Sequence, residues 1–322
     1  MISGEGRIFT LVRCKDNAEW LAQRKQGVGG SDVAAIMGLS KYKGPYALWA
    51  EKRGLSDPED ISGKPAVEWG NRLESVIGEK YADEHPDREV RRVNAICKSI
   101  ERPWAQASLD FEVKDPDLGW GVLEIKTVGF RSMSDWDNGV PIYYQTQVAH
   151  YLSVTGRPFA DVAVLKAGQE YEEFRIMRDE GDIKAVNSAV DDFWNRCVVG
   201  GEQPDITGMA SDARAVFEVS EPSGGEDQEM FDDVPELADW LHAKDEYKAA
   251  KDNLDKCAAR LKKHIGAASG IETELGKVTW RRSMRSSIDT KALKSDYPDL
   301  VDGYVNMRLV DGGLRWTPRK ED

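Results

Sequence analysis

The hydrophobic period of this chain changes twice between residues 64 and 156, and that change sets the fold class. KPAVEWGNRLESVIGEKYADEH places Val67, Leu73, Val76, Ile77 and Tyr81 at helical spacing, so it reads as one amphipathic helix. REVRRVNAICKSI, WAQASLDFEV and GWGVLEIKTV then alternate or carry β-branched residues, with the turn-rich KDPDLGWG between the last two. These three stretches predict an antiparallel meander. PIYYQTQVAHYLSVTG returns to helix, opened by Pro141 and closed by Gly156. FADVAVLKAG and EYEEFRIM predict two more strands joined by an Ala-Gly-Gln turn, and DEGDIKAVNSAVDDFWNRCVVGG closes the unit as a helix. Helices set around a run of strands indicate an α/β chain of the α+β kind.

The flanks complete a three-part organisation. Residues 1–200 form the main domain, and its first part reads as short helices. In QGVGGSDVAAIMG, Ser31 is the expected N-cap and Gly38 the expected C′ residue. GPYALWAEKRG follows, with Pro45 in its first turn and Gly54 after its end. Residues 201–231, rich in Gly, Pro, Ser and acid with Arg214 their only basic residue, read as a linker. Residues 232–322 open with a long helix. Its Leu237, Leu241, Leu254, Ala258, Leu261 and Ile265 keep a heptad-like stripe, expected to pack on the chain's own tail or a neighbouring subunit. GKVTWRRSM, DTKALKSDYPDL and GLRWTP predict a strand pair, a short helix and a terminal strand.

Charge and composition narrow the function. A formal net charge of −13 argues against a passive DNA coat, although one locally basic channel would be compatible with it. No apolar run is long enough to span a membrane and the N-terminus shows no secretory signal, so a cytoplasmic protein is expected. Cys14, Cys97, Cys197 and Cys257 have no C-x-x-C spacing, which fits reduced thiols. With four histidines and none spaced as H-x3-H, any metal is expected on oxygen ligands, which suits Mg²⁺ or Mn²⁺.

The chemistry centres on LEIKT. Glu124 and Lys126, two apart on a strand, project from one face while Ile125 packs on the other. Asp110 is expected on the preceding strand, facing them across the turn. Glu74 lies on the helix that would cover this sheet, and Tyr144 and Gln147, three apart, share one face of the next helix. Polar groups converging from several elements suit an oxygen-ligand metal site better than a structural core. Tyr143 and Tyr151 read as packing residues. Trp104, Trp120, Trp136 and Trp280 are also expected in core or turn packing, with base stacking as the alternative. Arg88, Arg91 and Arg92, and Arg281, Arg282 and Arg285, are two basic clusters: solvated faces, or the lining of a DNA path. The Gly-rich turn at 26–38 fits a simple helix cap as well as a phosphate pocket, and Arg24 supplies a charge that a plain cap does not need.

The D…E-x-K pattern, the upstream helical glutamate and the downstream Q-containing helix resemble the PD-(D/E)XK nuclease superfamily. The match is closer still to the YqaJ-type phage recombinase family, relatives of lambda exonuclease. Arg24 through Ala35 are similar to the family opening R…G-[VI]-G-G-S-D-A-A, GPYALW to the helix after it, and WGNRLE to its glutamate-bearing helix. The similarity runs from about residue 17 to 165, and the long charged helix and tail also resemble those of phage members. Leu109 stands where a proline often precedes the aspartate.

The resemblance implies a restriction-endonuclease-like core, a central mixed sheet flanked by helices. It implies Asp110, Glu124 and the Ile125 carbonyl as ligands of Mg²⁺ (or Mn²⁺), Lys126 as the catalytic lysine and Glu74 as an accessory acid. Gln147 with Tyr144 would align nucleophile or scissile phosphate, and Arg24 and Ser31 would hold a 5′-phosphate. The implied activity is 5′-to-3′ digestion of duplex DNA ends in the bacterial host's cytoplasm, by a homo-oligomeric, trimeric ring. Its product would serve a phage single-strand annealing protein. The alternatives are an endonuclease on the same core and a non-catalytic DNA-binding recombination scaffold.

Overall fold

The computed structural model describes residues 8–220, 234–284 and 286–305. It divides into two compact units, residues 1–222 and 223–322.

In the first unit the helical stretches fall where their caps place them. After strand β1 (Phe9–Val12) come α1 (Asn17–Lys25), α2 (Gly30–Ile36), α3 (Pro45–Arg53) and α4 (Pro65–Glu84). Pro45 and Pro65 occupy first turns, and Gly54 ends α3 in the left-handed conformation at φ 70°. Ser31 is not the N-cap of α2. Gly29 takes that position, the Asp32 carboxylate accepts from the Gly29 amide at 3.0 Å, and Ser31 sits inside the first turn with its hydroxyl free for another partner.

The expected three-strand meander is two sheets. REVRRVNAICKSI bends at Val93 into β2 (Glu89–Arg92) and β3 (Ile96–Ser99), and WAQASLDFEV bends at Leu109 into β4 (Gln106–Ser108) and β5 (Phe111–Asp115). β1, β3 and β4 form a small antiparallel sheet. β2 and β5 join β6 (Gly119–Val128), β7 (Phe159–Lys166) and β8 (Glu170–Met177) in the order β2-β5-β6-β7-β8. Every pair in this larger sheet is antiparallel except β6–β7, which needs a crossover. That crossover is α5 (Ile142–Thr155), so the sheet is mixed, as the family resemblance implies.

Strand alternation assigns the two faces. Leu123 and Ile125 of β6 pack with Phe111, Val113, Phe159 and Ala163 under Ile77 and Tyr81 of α4. Val76, expected in that stripe, is exposed. Val122 of β6 points the other way, toward Val148 and Leu152 of α5, with Ala160, Val162 and Val164 of β7 completing that core. Helix α6 (Glu180–Asp192) continues as one π-helical stretch, Phe193–Val199, and packs with α2 and α3 in a third core.

Part of the stretch read as linker is ordered. Ala210–Ser220 forms α7, whose Asp212 is fully buried and accepts from the Ala47 amide of α3 at 2.9 Å and the Thr207 hydroxyl at 2.7 Å. The apolar positions of α7 dock on α3, and its acidic composition hid them.

In the second unit, α8 (Pro235–Ile265) is followed by the hairpin β9 (Gly270–Thr273) and β10 (Gly276–Thr279), then α9 (Thr290–Asp296) and α10 (Pro298–Asp302). Of the expected α8 stripe, Ile265 is buried while Leu237, Leu254 and Leu261 stay exposed among the described residues. The terminal strand predicted at GLRWTP lies outside the described residues. No helix among the described residues is long and apolar enough to cross a membrane.

Candidate active site

The bend between β4 and β5 puts Asp110 at the edge of the sheet rather than within a strand. Since Phe111 pairs with Leu123, the residue before it stands abreast of Glu124. The Asp110 carboxylate accepts from the Ile125 amide at 2.8 Å, and its own carbonyl accepts from Val93 N at 3.1 Å. Two strands therefore fix one carboxylate beside another.

Glu124, Lys126 and Gln147 form a closed set. Glu124 Oε1 accepts from Lys126 Nζ and from Gln147 Nε2, both at 2.6 Å. Gln147 also donates to the Tyr151 hydroxyl at 2.9 Å, and its carbonyl lies 3.4 Å from Lys126 Nζ. Tyr144 lies below, with Lys126 Nζ 4.6 Å from its ring centre. Tyr151 is buried as expected, yet its hydroxyl belongs to this network. Tyr143, half-buried, donates to Asp135.

Glu74 approaches from α4. It is paired with Arg92 of β2 and lines, with Asp110, a cavity of about 390 Å³ beside α1. Thus Arg92 braces an acid while its side chain stays 43% exposed. Its cluster mates are used likewise: Arg88 binds Asp161 and Arg91 binds Glu112 while lying 3.7 Å from the Trp120 ring centre. Each of these arginines is thus tied to a carboxylate of the first unit. Trp136 is buried and Trp104 donates to Asp191, as the packing reading expects. Trp280 departs from it, being 44% exposed.

The electrostatics show what the site lacks. Burial, then the neighbouring Asp110, push the Glu124 carboxyl up to about 8 against the pull of Lys126. Burial also raises Asp110, and burial with Asp110 raises Glu74. Burial works against the Lys126 ammonium, but Glu124 and Asp110 outweigh it and hold its pKa above the ordinary value. Glu124 Oε2 is buried without a hydrogen-bond partner. An orphaned carboxylate oxygen beside a second strained carboxylate is the donor set that a hard divalent cation satisfies. No group of three or more His, Cys, Asp and Glu side chains suited to one ion occurs among the described residues. The two carboxylates of Asp110 and Glu124 are what the site offers.

A second polar centre adjoins the first. Arg24 donates to the Ser31 hydroxyl at 2.9 Å, with Trp20 4.9 Å from its guanidinium carbon. Behind them Asp32 is buried, 2.7 Å from Lys52 Nζ and 3.5 Å from Arg24. Burial would raise its carboxyl, but Lys52 and Arg24 hold it well below the usual carboxylate range. Lys52 also donates to the Arg24 carbonyl at 2.9 Å, fixing the backbone that presents the guanidinium.

The two centres touch at Gly30. A Cβ there would lie 2.4 Å from Tyr151 and 2.9 Å from Gln147, so only glycine lets α2 settle on α5 at this point. Gly30, the neighbour of Ser31, thus packs on the amide side chain that holds Glu124.

Two participants escaped the sequence reading. Lys52 is far from Asp32 in the chain, and no local pattern announces their pairing. His150 is fully buried on α5, its Nε2 3.0 Å from the Gln106 carbonyl and 3.2 Å from that of Val28. Both partners are acceptors, so that nitrogen carries the proton, and burial lowers the His150 pKa to about 4. Its spacing from Gln147 and Tyr151, on one helix face, was the available signal.

Residues 19–158 match the model of the YqaJ-like viral recombinase domain. The protein YqaJ of Bacillus subtilis (strain 168) is 28% identical over 291 residues, which cover 88% of this chain and 89% of that protein. Protein D345L of African swine fever virus (strain Badajoz 1971 Vero-adapted) is 36% identical over 70 residues, 22% of this chain and 20% of its own length. Among solved structures, an alkaline exonuclease from Laribacter hongkongensis is 24% identical with a TM-score of 0.49, covering 57% of this chain and 94% of its own. A phage-related exonuclease from Haemophilus somnus 129PT is 14% identical with a TM-score of 0.35, covering 55% and 96% respectively.

Proposed function

We propose, on the premise that the chain carries a YqaJ-like viral recombinase domain over residues 19–158, that it is a metal-dependent nuclease that resects duplex DNA ends. It hydrolyses one strand 5′ to 3′ and leaves an overhang for a phage single-strand annealing protein, in the cytoplasm of the bacterial host. The observation that carries this reading is the orphaned, buried Glu124 Oε2 beside Asp110, within reach of the Lys126 ammonium.

Asp110, Glu124 and the Ile125 carbonyl would hold Mg²⁺, with Mn²⁺ as a substitute. Bound by these residues, such an ion would supply Lewis-acid stabilisation of the scissile phosphate and a more acidic water. Lys126 neutralises charge that develops on the phosphate oxygens, where a buried cation acts with little screening. Gln147 keeps Glu124 in one rotamer, and Tyr144 limits the arc through which Lys126 moves. Glu74, tied to Arg92, lines the same cavity as Asp110 and would accept a proton from an incoming water. Arg24 and Ser31 bind the terminal phosphate with a cation and a hydroxyl, which an internal, diesterified phosphate fits less well. A trimeric ring would confer processivity by enclosing the strand.

The decisive substrate comparison is linear duplex against covalently closed circular duplex in Mg²⁺, with product lengths followed from 5′- and 3′-labelled ends. The reading expects circular DNA to survive, the 5′ label to be released at once as a small product and the 3′-labelled strand to shorten progressively. Equal loss of circular and linear DNA would replace it with an endonuclease on the same core. Binding without any cleavage would leave a recombination scaffold.

A further inference from the structure

The second unit carries a cluster of charge and aromatic surface that the hydrolytic site does not use. From Arg260 to Met284 there are six Lys and Arg against two carboxylates, in a chain whose net charge is −13. The end of α8 supplies Lys262 and Lys263, and β10 runs into Trp280, Arg281 and Arg282. The Trp280 amide donates to the Ser269 carbonyl at 2.9 Å, which anchors the indole beside the helix end. Lys262 Nζ lies 5.9 Å from the ring centre, and nearly half of the residue is exposed. Together with Gly266 and Ser269, Trp280, Arg281 and Arg282 line a cavity of about 390 Å³.

Two contrasts separate this cluster from an ordinary solvated face. Arg88, Arg91 and Arg92 in the first unit each hold a carboxylate. Among the described residues no carboxylate comes within ion-pair distance of Lys262, Lys263, Arg281 or Arg282, the nearest pair being Lys277–Glu272 at 3.9 Å. A fixed, half-open indole flanked by unpaired cations is also the arrangement that single-stranded nucleic acid uses, one base on the ring and its phosphates on the cations. The smooth indole face suits any base, so the site would be sequence-tolerant.

We infer that the α8–β10 junction, with Trp280 as stacking platform and Lys262, Lys263, Arg281 and Arg282 as phosphate contacts, is a binding site for single-stranded DNA. This inference does not rest on the hydrolytic reading, because binding can be measured where no hydrolysis occurs.

The test uses the full chain in EDTA with a fluorescent, 5′-hydroxyl (dT)12 probe, which removes cleavage and the terminal phosphate together. Trp280→Ala is expected to weaken binding about tenfold, and Trp280→Phe to keep most of the affinity, since stacking needs only an aromatic face. The double variant R281Q/R282Q is expected to lower the slope of log K against log salt by about 1.4, roughly 0.7 for each lost phosphate contact. Ultraviolet cross-linking of a 5-bromouracil probe should label the peptide that contains Trp280. Unchanged affinity in Trp280→Ala, with circular dichroism like that of the parent, would overturn the assignment. So would cross-links confined to the first unit.

Discussion

Asp32 is the residue at which stability meets the proposed recognition of a DNA end. Its carboxylate, buried with Lys52 and near Arg24, is what keeps the Arg24 guanidinium aimed at Ser31. Removing it leaves the Lys52 ammonium buried and unpaired, a change that costs about 3–5 kcal/mol. Asp32→Ala should therefore lower the unfolding free energy measured in urea by that amount, and the protein that remains folded should digest 5′-phosphorylated and 5′-hydroxyl ends at similar rates. Retained preference in Asp32→Ala would detach Asp32 from the phosphate pocket. The sequence shows Ser31 and Asp32 as a helix-start pair and Arg24 as an upstream charge. It does not show Lys52, because the pairing depends on α3 lying across α2.

At the scale of elements, the contact between α2 and α5 couples the two polar centres. Gly30→Ala should cost about 1–3 kcal/mol through overpacking against Tyr151. It should also slow hydrolysis of 5′-hydroxyl ends, since the displaced side chain is Gln147. A loss confined to 5′-phosphorylated ends would mean that the contact serves only the phosphate pocket. The same α5 face carries His150, whose folded-state pKa of about 4 lies below the ordinary 6.5. A histidine depressed on folding contributes stability above its unfolded pKa, and the contribution is lost as pH falls toward the folded one. Unfolding free energy should drop by roughly 2–3 kcal/mol between pH 6.5 and 4 from this group, and His150→Gln should lack that part of the slope. Equal slopes in both proteins would contradict the assignment.

Element types were legible where period and caps agree, as for α4, α5, β7 and β8. The meander was misread because a bend inside a continuous strand pattern leaves no composition signal: Val93 and Leu109 look like strand residues, yet each marks a change of sheet. That bend is what lifts Asp110 to the sheet edge. Glu124 and Lys126 were legible as a same-face pair from alternation alone. Their partners on α4 and α5 needed the packing of helices on both faces.

For the whole molecule, a net charge of −13 is compatible with the proposed DNA binding when positive charge is used locally. Arg88, Arg91 and Arg92 of the first unit each pair with a carboxylate, whereas Lys262, Lys263, Arg281 and Arg282 have none within ion-pair distance among the described residues. The ring proposal predicts a solution mass three times the 36.0 kDa of the chain by light scattering; a monomer at working concentration would contradict it.

The central claim is that Asp110, Glu124 and Lys126 are one hydrolytic centre. Its most direct test is digestion of 5′-phosphorylated linear duplex in Mg²⁺ by the parent, Glu124→Gln and Lys126→Ala. The account predicts losses on the order of 10²–10⁴-fold for both variants, with unaltered circular dichroism, and no digestion by the parent in EDTA. Digestion at the parent's rate by either variant, or by the parent in EDTA, would contradict it.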